Sequence, residues 1–95
     1  MTGAEQESPV TVSPIPVVSR EQLVTENLAL VDYVVSETMQ RLPRHVSRDD
    51  LVSAGMAALA QAAAAFDPAR GVPFPRYAST RIRGALIDEL TTSAR

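Results

Sequence analysis

Gly71-Val-Pro-Phe-Pro-Arg-Tyr-Ala-Ser-Thr-Arg-Ile-Arg-Gly-Ala-Leu-Ile-Asp-Glu-Leu90 opens with turn formers and continues with helical periodicity. Proline is tolerated in a first helical turn, where its missing N–H has no intrahelical partner to lose. A helix entered near Pro75 gathers Ala78, Ile82, Ala85, Leu86 and Leu90 on one side at about 100° per residue, which makes that side the core face. Arg76, Thr80, Arg83 and Gly84 share the opposite arc, with Tyr77 and Arg81 at its edge. From Arg70 to Arg83 there are four arginines and no acid, with Phe74 and Tyr77 set among them. Guanidinium groups for phosphates, aromatic planes for bases and a glycine that lets a backbone come close suit single-stranded or melted nucleic acid, where base stacking is worth ~1–3 kcal/mol per base. Phe74, Arg76, Tyr77, Thr80, Arg81, Arg83 and Gly84 are therefore the candidate DNA-binding residues. Phe74 reads equally as a hydrophobic plug between helices; for Tyr77 a core tyrosine is the other reading. Arg81 and Arg83 can instead pair with Asp88, Glu89 or acids of the first helix, in surface pairs worth ~0–1 kcal/mol.

The preceding segment predicts a helix over 48–66. Ser47 stands as N-cap with Asp50 at the third position beyond it, and Asp49 adds charge that favours a helix N-terminus. Leu51, Val52, Gly55, Met56, Leu59, Ala62, Ala63 and Phe66 fill one arc, and Asp67-Pro68 ends the run. The reverse face, Ser53, Ala54, Ala57, Ala58, Ala60, Gln61, Ala64 and Ala65, carries no ionised group. Such a helix is sandwiched within its fold, docked on another protein, or solvated because alanine is the best helix former. Phe66-Asp-Pro-Ala-Arg-Gly-Val-Pro-Phe74 follows as a connector with its turn at Arg70-Gly71.

Further upstream, Ser19 with Gln22 forms a capping-box pattern. Leu23, Val24, Leu28, Val31, Val34, Val35, Met39 and Leu42 keep a helical rhythm until Pro43, so a helix is expected over 20–41. Asn27 lies inside that apolar arc and reads as a hydrogen-bond knot joining helices, since an unpaired buried amide is costly. Met1 to Val18 contains Pro9, Pro14 and Pro16 and lacks helical periodicity, which predicts a disordered leader over 1–18. A short extended strand through Val10, Val12, Ile15, Val17 and Val18 is the other reading. The expected fold class is all-α, a compact domain of three helices (20–41, 48–66 and 74–93) within 19–95.

Ninety-five residues make at most one domain with a small core. The net charge of −2 is unevenly distributed: residues 1–39 hold six of the eleven acids and only Arg20, and the remainder holds eight of the nine bases. The basic end is thus the candidate binding end. Without cysteine there is no disulfide framework or thiolate metal site, and His45 is the lone histidine. No catalytic residue, metal ligand or cofactor site emerges: Asp88 and Glu89 diverge by about 100° on a helix, and no acid, base and nucleophile converge. The pattern is not that of an enzyme. No run approaches the ~18 apolar residues of a membrane span, nor is there a secretory signal, so a cytoplasmic location with no membrane partner is expected.

Asp50-Leu-Val-Ser-Ala-Gly55, Leu59, Phe66-Asp67, Arg70-Gly71, Phe74, Tyr77-Ala78 and Arg81-Ile-Arg-Gly-Ala-Leu-Ile-Asp-Glu-Leu90 together resemble the conserved second region of bacterial sigma factors of the sigma-70 family. The last segment is similar to the flagellar and sporulation branch, and the resemblance covers about residues 22 to 90. It implies a compact three-helix region 2 domain that binds the clamp coiled coil of the RNA polymerase core through the second helix. The third helix and the loop before it would recognise the non-template strand of the minus-ten promoter element as it melts. By position, Tyr77 would stack on a flipped base, and Arg76, Arg81 and Arg83 would hold phosphates or the duplex edge. Asp50, Ser53, Ala54, Ala57, Ala58 and Gln61 become the polymerase-binding residues, a face equally suited to an anti-sigma factor competing for the same helix. Family members often carry polar or acidic residues where this chain has Ser53, Ala54 and Met56, and the housekeeping branch has a tryptophan pair in place of Thr80 and Arg81.

Two other readings stand beside this one. The sequence ends at Arg95 without later sigma regions, so a truncated sigma fragment acting as an interaction module or anti-sigma decoy is the alternative. A helix-turn-helix reader of duplex DNA fits the entry to the third helix but not the uncharged second one.

Overall fold

The computed structural model describes residues 17–43 and 45–93. Four helices follow one another: α1 (Val17–Glu26), α2 (Leu28–Met39), α3 (Arg48–Ala65) and α4 (Phe74–Ser93), with a 3-10 turn at Pro68–Arg70. The all-α expectation holds, and the first predicted helix is two helices. Asn27 adopts φ −121° and ψ 17°, outside the helical basin, and its side-chain Nδ2 donates to the Leu23 carbonyl at 2.7 Å. The expected knot between separate helices is a local one, one turn back along the chain. Asparagine offers the backbone an alternative partner, and here it bends the chain.

The boundaries at both ends of this pair also differ from expectation. α1 starts at Val17, so Ser19 lies inside the helix and is not its cap, and Val17 and Val18 do not belong to a leader or strand. The rest of the predicted leader, 1–16, lies outside the described residues. α2 ends at Met39, and Arg41 and Leu42 donate their N–H groups to the Thr38 and Met39 carbonyls in tight turns ahead of Pro43.

α3 begins as its sequence predicts. The Ser47 hydroxyl accepts from the Asp50 N–H at 3.3 Å, with Asp49 and Asp50 in the first turn. Arg48 then pins this end to α2, its Nη2 donating to Asp32 Oδ1 at 3.1 Å and to Ser36 Oγ at 3.2 Å. Phe66 leaves the helix in an extended conformation. Asp67 accepts from the Ala69 N–H at 2.9 Å, and Gly71, at φ 79°, closes the 3-10 turn in a conformation that side chains other than glycine rarely adopt. α4 follows with its first backbone bond from the Tyr77 N–H to the Pro73 carbonyl.

α3 and α4 share the most extensive interface, while α2 packs on both and α1 packs chiefly on α3. The core consists of Val31, Val34 and Val35 from α2, Leu51, Ala58, Leu59, Ala62 and Ala63 from α3, and Phe74, Ala78, Ile82 and Leu86 from α4. On α4 the sequence-predicted face is correct, with Ala85 and Leu90 half-buried at its edge. On α3 the buried arc is rotated. Met56, expected inside, is exposed, and Ala58, expected on the outer face, is only 5% exposed. Small side chains let α3 come close to its neighbours, so the seam follows Gly55, Ala58 and Ala62 and leaves the bulky methionine at the rim.

Gly55 marks the closest approach. A Cβ built there lies 2.9 Å from Val31 Cγ1 and 3.5 Å from Ile82 Cγ2. Val31 is β-branched and has little rotamer freedom in a helix, so it cannot easily give way. Gly55→Ala gains up to ~1 kcal/mol of helix propensity but incurs ~1–3 kcal/mol of overpacking. A net loss of stability is expected in urea denaturation. Leu59→Ala, which empties a fully buried site, should cost about 2–5 kcal/mol in the same measurement.

Candidate nucleic-acid and partner interfaces

The outer face of α4 is a row of long and short side chains in helical register. Arg76, Thr80, Arg83 and Gly84 are all exposed, as the sequence predicts, and so is Arg81 at the edge. Thr80 Oγ1 donates to the Arg76 carbonyl at 3.2 Å, which satisfies its proton and leaves its oxygen able to accept. Arg83 Nη2 donates to Glu37 Oε1 of α2 at 3.0 Å, the alternative pairing with an acid of the first predicted helix. Both side chains remain substantially exposed, so the pair contributes only ~0–1 kcal/mol. Ile87 belongs to this row as well; it is 61% exposed and lies one turn beyond Arg83.

A chain of rings connects the core to this face. Phe74 is 5% exposed and packs edge-on against Phe66, with centroids 5.2 Å apart and planes at 77°. Between the two readings of Phe74, the structure selects the plug and removes it from the surface. Phe66 in turn lies 5.9 Å from the half-buried Tyr77 ring, tilted by 38°. The Arg81 guanidinium carbon stands 5.8 Å over the same ring, within cation–π range. Tyr77 is therefore held from below by Phe66 and flanked by a cation, with part of its ring still open.

Beside Tyr77 is a hollow of about 470 Å³, lined by Ala65, Phe66, Asp67, Arg70, Val72 and Tyr77. Its floor is apolar and aromatic, and its rim carries one carboxylate and one guanidinium. That combination can take a flat heterocycle, with stacking from the rings and hydrogen bonds from the rim.

The uncharged face of α3 lies elsewhere on the molecule. Ser53, Ala57 and Gln61 are exposed along it, Ala54 is half-buried, and the charged Asp50 stands exposed at its N-terminal end. Ala58, placed on this face by the sequence reading, belongs to the core at 5% exposure and meets the surface only in the floor of the groove between α3 and α4. A shallow groove of about 270 Å³ follows this row, and Ala85, Asp88, Glu89 and Thr92 of α4 form its other bank. α4 thus adds carboxylates beside a face that α3 leaves uncharged beyond Asp50. Among the described residues no group of three or more His, Asp and Glu side chains is placed to hold a metal ion. No helix there is long and apolar enough to cross a membrane.

Residues 23–95 match the Sigma-70 region 2 family. The chain belongs to that family. It is 42% identical over 72 residues to the RNA polymerase sigma factor FliA of Pseudomonas aeruginosa, covering 76% of this chain and 29% of the relative. It is 46% identical over 70 residues to the RNA polymerase sigma-D factor of Bacillus subtilis (74% and 28%), and 38% identical over 74 residues to FliA of Escherichia coli K12 (78% and 31%). These matches place this region 2 domain in the flagellar-type branch. The chain spans under a third of the length of these curated relatives.

Reasoning from the sequence found the row on α4 but missed three features of this sigma domain. Phe66, placed by periodicity on the apolar arc of α3, lines the hollow beside Tyr77 together with Asp67, Arg70 and Val72 of the connector, where helical periodicity gives no information about placement. Ile87 resembles one more core isoleucine in a window of hydropathy; only its angular position between Arg83 and Gly84 would have put it outside. Asp88 read as a partner for Arg81 or Arg83, and the structure places it on the groove shared with α3.

Gly84 provides a direct check on the exposed row. A Cβ there meets no heavy atom within 4 Å, and the residue sits mid-helix. Gly84→Ala should stabilise the domain by up to about 1 kcal/mol, raising its Tm by about 4–8 °C. That is the opposite sign from Gly55→Ala, and thermal melting by circular dichroism reads both.

Proposed function

We propose that this region 2 domain docks on the RNA polymerase core through α3 and captures the non-template strand of a melting minus-ten promoter element with α4 and its preceding connector. Relatives bearing the name RNA polymerase sigma factor support the general assignment. The observation that carries the finer one is the open ring of Tyr77, braced by Phe66 and flanked by Arg81, beside a hollow of the right chemistry for one unstacked base. In this reading a base that leaves the duplex stacks on Tyr77, while Arg70 and Asp67 at the rim address its edge. Arg76, Arg81 and Arg83 follow the sugar–phosphate backbone, and Thr80 accepts a hydrogen bond from a base or from water. Specificity then arises from the captured base and affinity from neutralised phosphates. Tight curvature of the strand over α4 is accommodated at Gly84, where no side chain intervenes.

Docking uses the row Asp50, Ser53, Ala54, Ala57 and Gln61, with Asp88 across the groove. Small side chains permit close approach of a partner helix, and the flanking carboxylates call for cationic groups on that helix. The largest-subunit clamp coiled coil is the proposed partner, and an anti-sigma factor that covers the same row would exclude it. The domain acts through binding alone, with no catalytic step of its own.

Fluorescence anisotropy with single-stranded oligonucleotides carrying a minus-ten-like or a scrambled sequence, with and without the clamp coiled coil, tests both surfaces. Tyr77→Ala should weaken binding to the minus-ten-like strand by about 5- to 100-fold, equivalent to ~1–3 kcal/mol of stacking. Arg81→Ala/Arg83→Ala should weaken all sequences alike and flatten the salt dependence. Ala57→Glu should abolish enhancement by the coiled coil and leave intrinsic strand binding intact. If no DNA is bound even with the coiled coil, while Ala57→Glu still disrupts a protein complex, the domain is an interaction module.

A further inference from the structure

The arginine row of α4 continues across a groove onto α2. This groove, of about 340 Å³, has Glu37, Arg41 and Leu42 on one wall and Arg83, Leu86 and Ile87 on the other. Within it the Arg83–Glu37 ion pair, at 3.0 Å, joins residues 46 apart in sequence, with 48% and 39% of the two side chains exposed. Arg41 stands one helical turn beyond Glu37 on the same wall. Among the described residues its guanidinium has no ion-pair or hydrogen-bond partner. The groove therefore contains two guanidinium groups and one carboxylate, a net charge that favours an anion.

A carboxylate and a phosphodiester present similar features to arginine: a single negative charge and two oxygens that accept charge-assisted hydrogen bonds. Glu37 holds on Arg83 the position that a backbone phosphate requires. The pair is solvent-exposed and thus weak, whereas a nucleic-acid strand brings several phosphates joined at fixed spacing. A strand held elsewhere on α4 presents its next phosphate at high local concentration and can replace the carboxylate.

We propose that the α2–α4 groove is a phosphate seat formed by Arg83 and Arg41, and that Glu37 is its built-in competitor, occupying Arg83 until a DNA phosphate displaces it. This rests on the nucleic-acid reading of α4 and extends the interface to α2, for which the sequence reading offered an acid to pair with Arg83 but no contact with DNA. The competitor lowers affinity for any polyanion that makes only isolated contacts, so it sharpens discrimination in favour of a strand already anchored at Tyr77.

The test is a double-mutant cycle on the full chain. Anisotropy with a forked DNA, duplex upstream and minus-ten-like single strand downstream, is recorded over a range of salt, with the clamp coiled coil present throughout. The variants are Glu37→Gln, Arg83→Ala, the two combined, Arg41→Ala, and Tyr77→Ala as the marker for base capture; thermal melts verify that each is folded. Glu37→Gln should tighten binding by about 3- to 5-fold at low salt, the equivalent of one exposed ion pair removed from competition. That gain should vanish in the Arg83→Ala background, and Arg41→Ala should lower the slope of log affinity against log salt by about one. A Glu37→Gln protein that binds no more tightly than wild type, while Tyr77→Ala still abolishes binding, overturns the competitor and leaves base capture standing. An equal gain with and without Arg83 also overturns it, since the effect would then be general charge removal. If no variant, wild type included, binds the fork, the nucleic-acid reading fails and this proposal with it.

Discussion

Gly55 on α3 sits where Val31 of α2 and Ile82 of α4 converge, and an added methyl carbon would lie 2.9 Å from one and 3.5 Å from the other. Close approach of this kind requires a run of small side chains, and α3 provides it in Gly55, Ala58 and Ala62, all buried. With so little volume between the helices, the larger residues that fill the core come from the neighbours: Val31, Val34 and Val35 on one side, Ile82 and Leu86 on the other. Interiors tolerate neither voids nor overlap, so the register of α4 against α3 has little freedom. That register determines which residues of α4 face outward, and the arginine row is its consequence.

Phe66 transmits the same constraint to the candidate site. It is the residue at which α3 turns into the connector, half-buried, with Phe74 edge-on to one side and Tyr77 tilted against it on the other. Aromatic pairs of this geometry contribute ~0.5–1.5 kcal/mol beyond the area they bury. The half-buried ring of Tyr77 therefore rests on a support continuous with the core, so less conformational freedom would be lost by a ligand stacking on it. The left-handed Gly71 and the Asp67 cap shape the loop that forms the remaining wall of the hollow. A candidate binding residue placed on a rigid helix, with its rim supplied by a short capped loop, is economical in so small a domain.

Electrostatics partitions the surface into two. Arg76 and Arg83 lie far round α4 from the acids that close the α3–α4 groove, whereas Arg81, seven residues before Asp88, shares their side, so one helix carries a cationic row and, through Asp88, an anionic bank. The partition also leaves a cationic row on a chain of net negative charge: the acids lie mainly on α1, α2 and the α3 N-terminus, where Asp49 and Asp50 favour the helix start. Glu37 is the exception, an acid directed into the cationic row.

Much of this domain was legible from local rules. The Ser47 cap, the stop at Asp67-Pro68, the entry into α4 and its core face follow from hydrogen-bond demand at helix ends and from a period of 3.6 residues, which are properties of short stretches of chain. The break at Asn27 was less legible, because an asparagine inside an apolar arc fits either a tertiary partner or its own backbone, and only φ and ψ distinguish them. The all-α class, the capped α3, the α4 core face and the row of arginines opposite it are written in local sequence. Helix packing sets the rest: Ala58 is buried and Met56 is not, Phe74 is a plug, Phe66 and Arg70 complete the hollow beside Tyr77, and Glu37 meets Arg83. The physical reason is common to all four: each depends on how closely two helices approach and at what rotation, and alanines and loop residues carry no hydropathy signal from which that distance could be read.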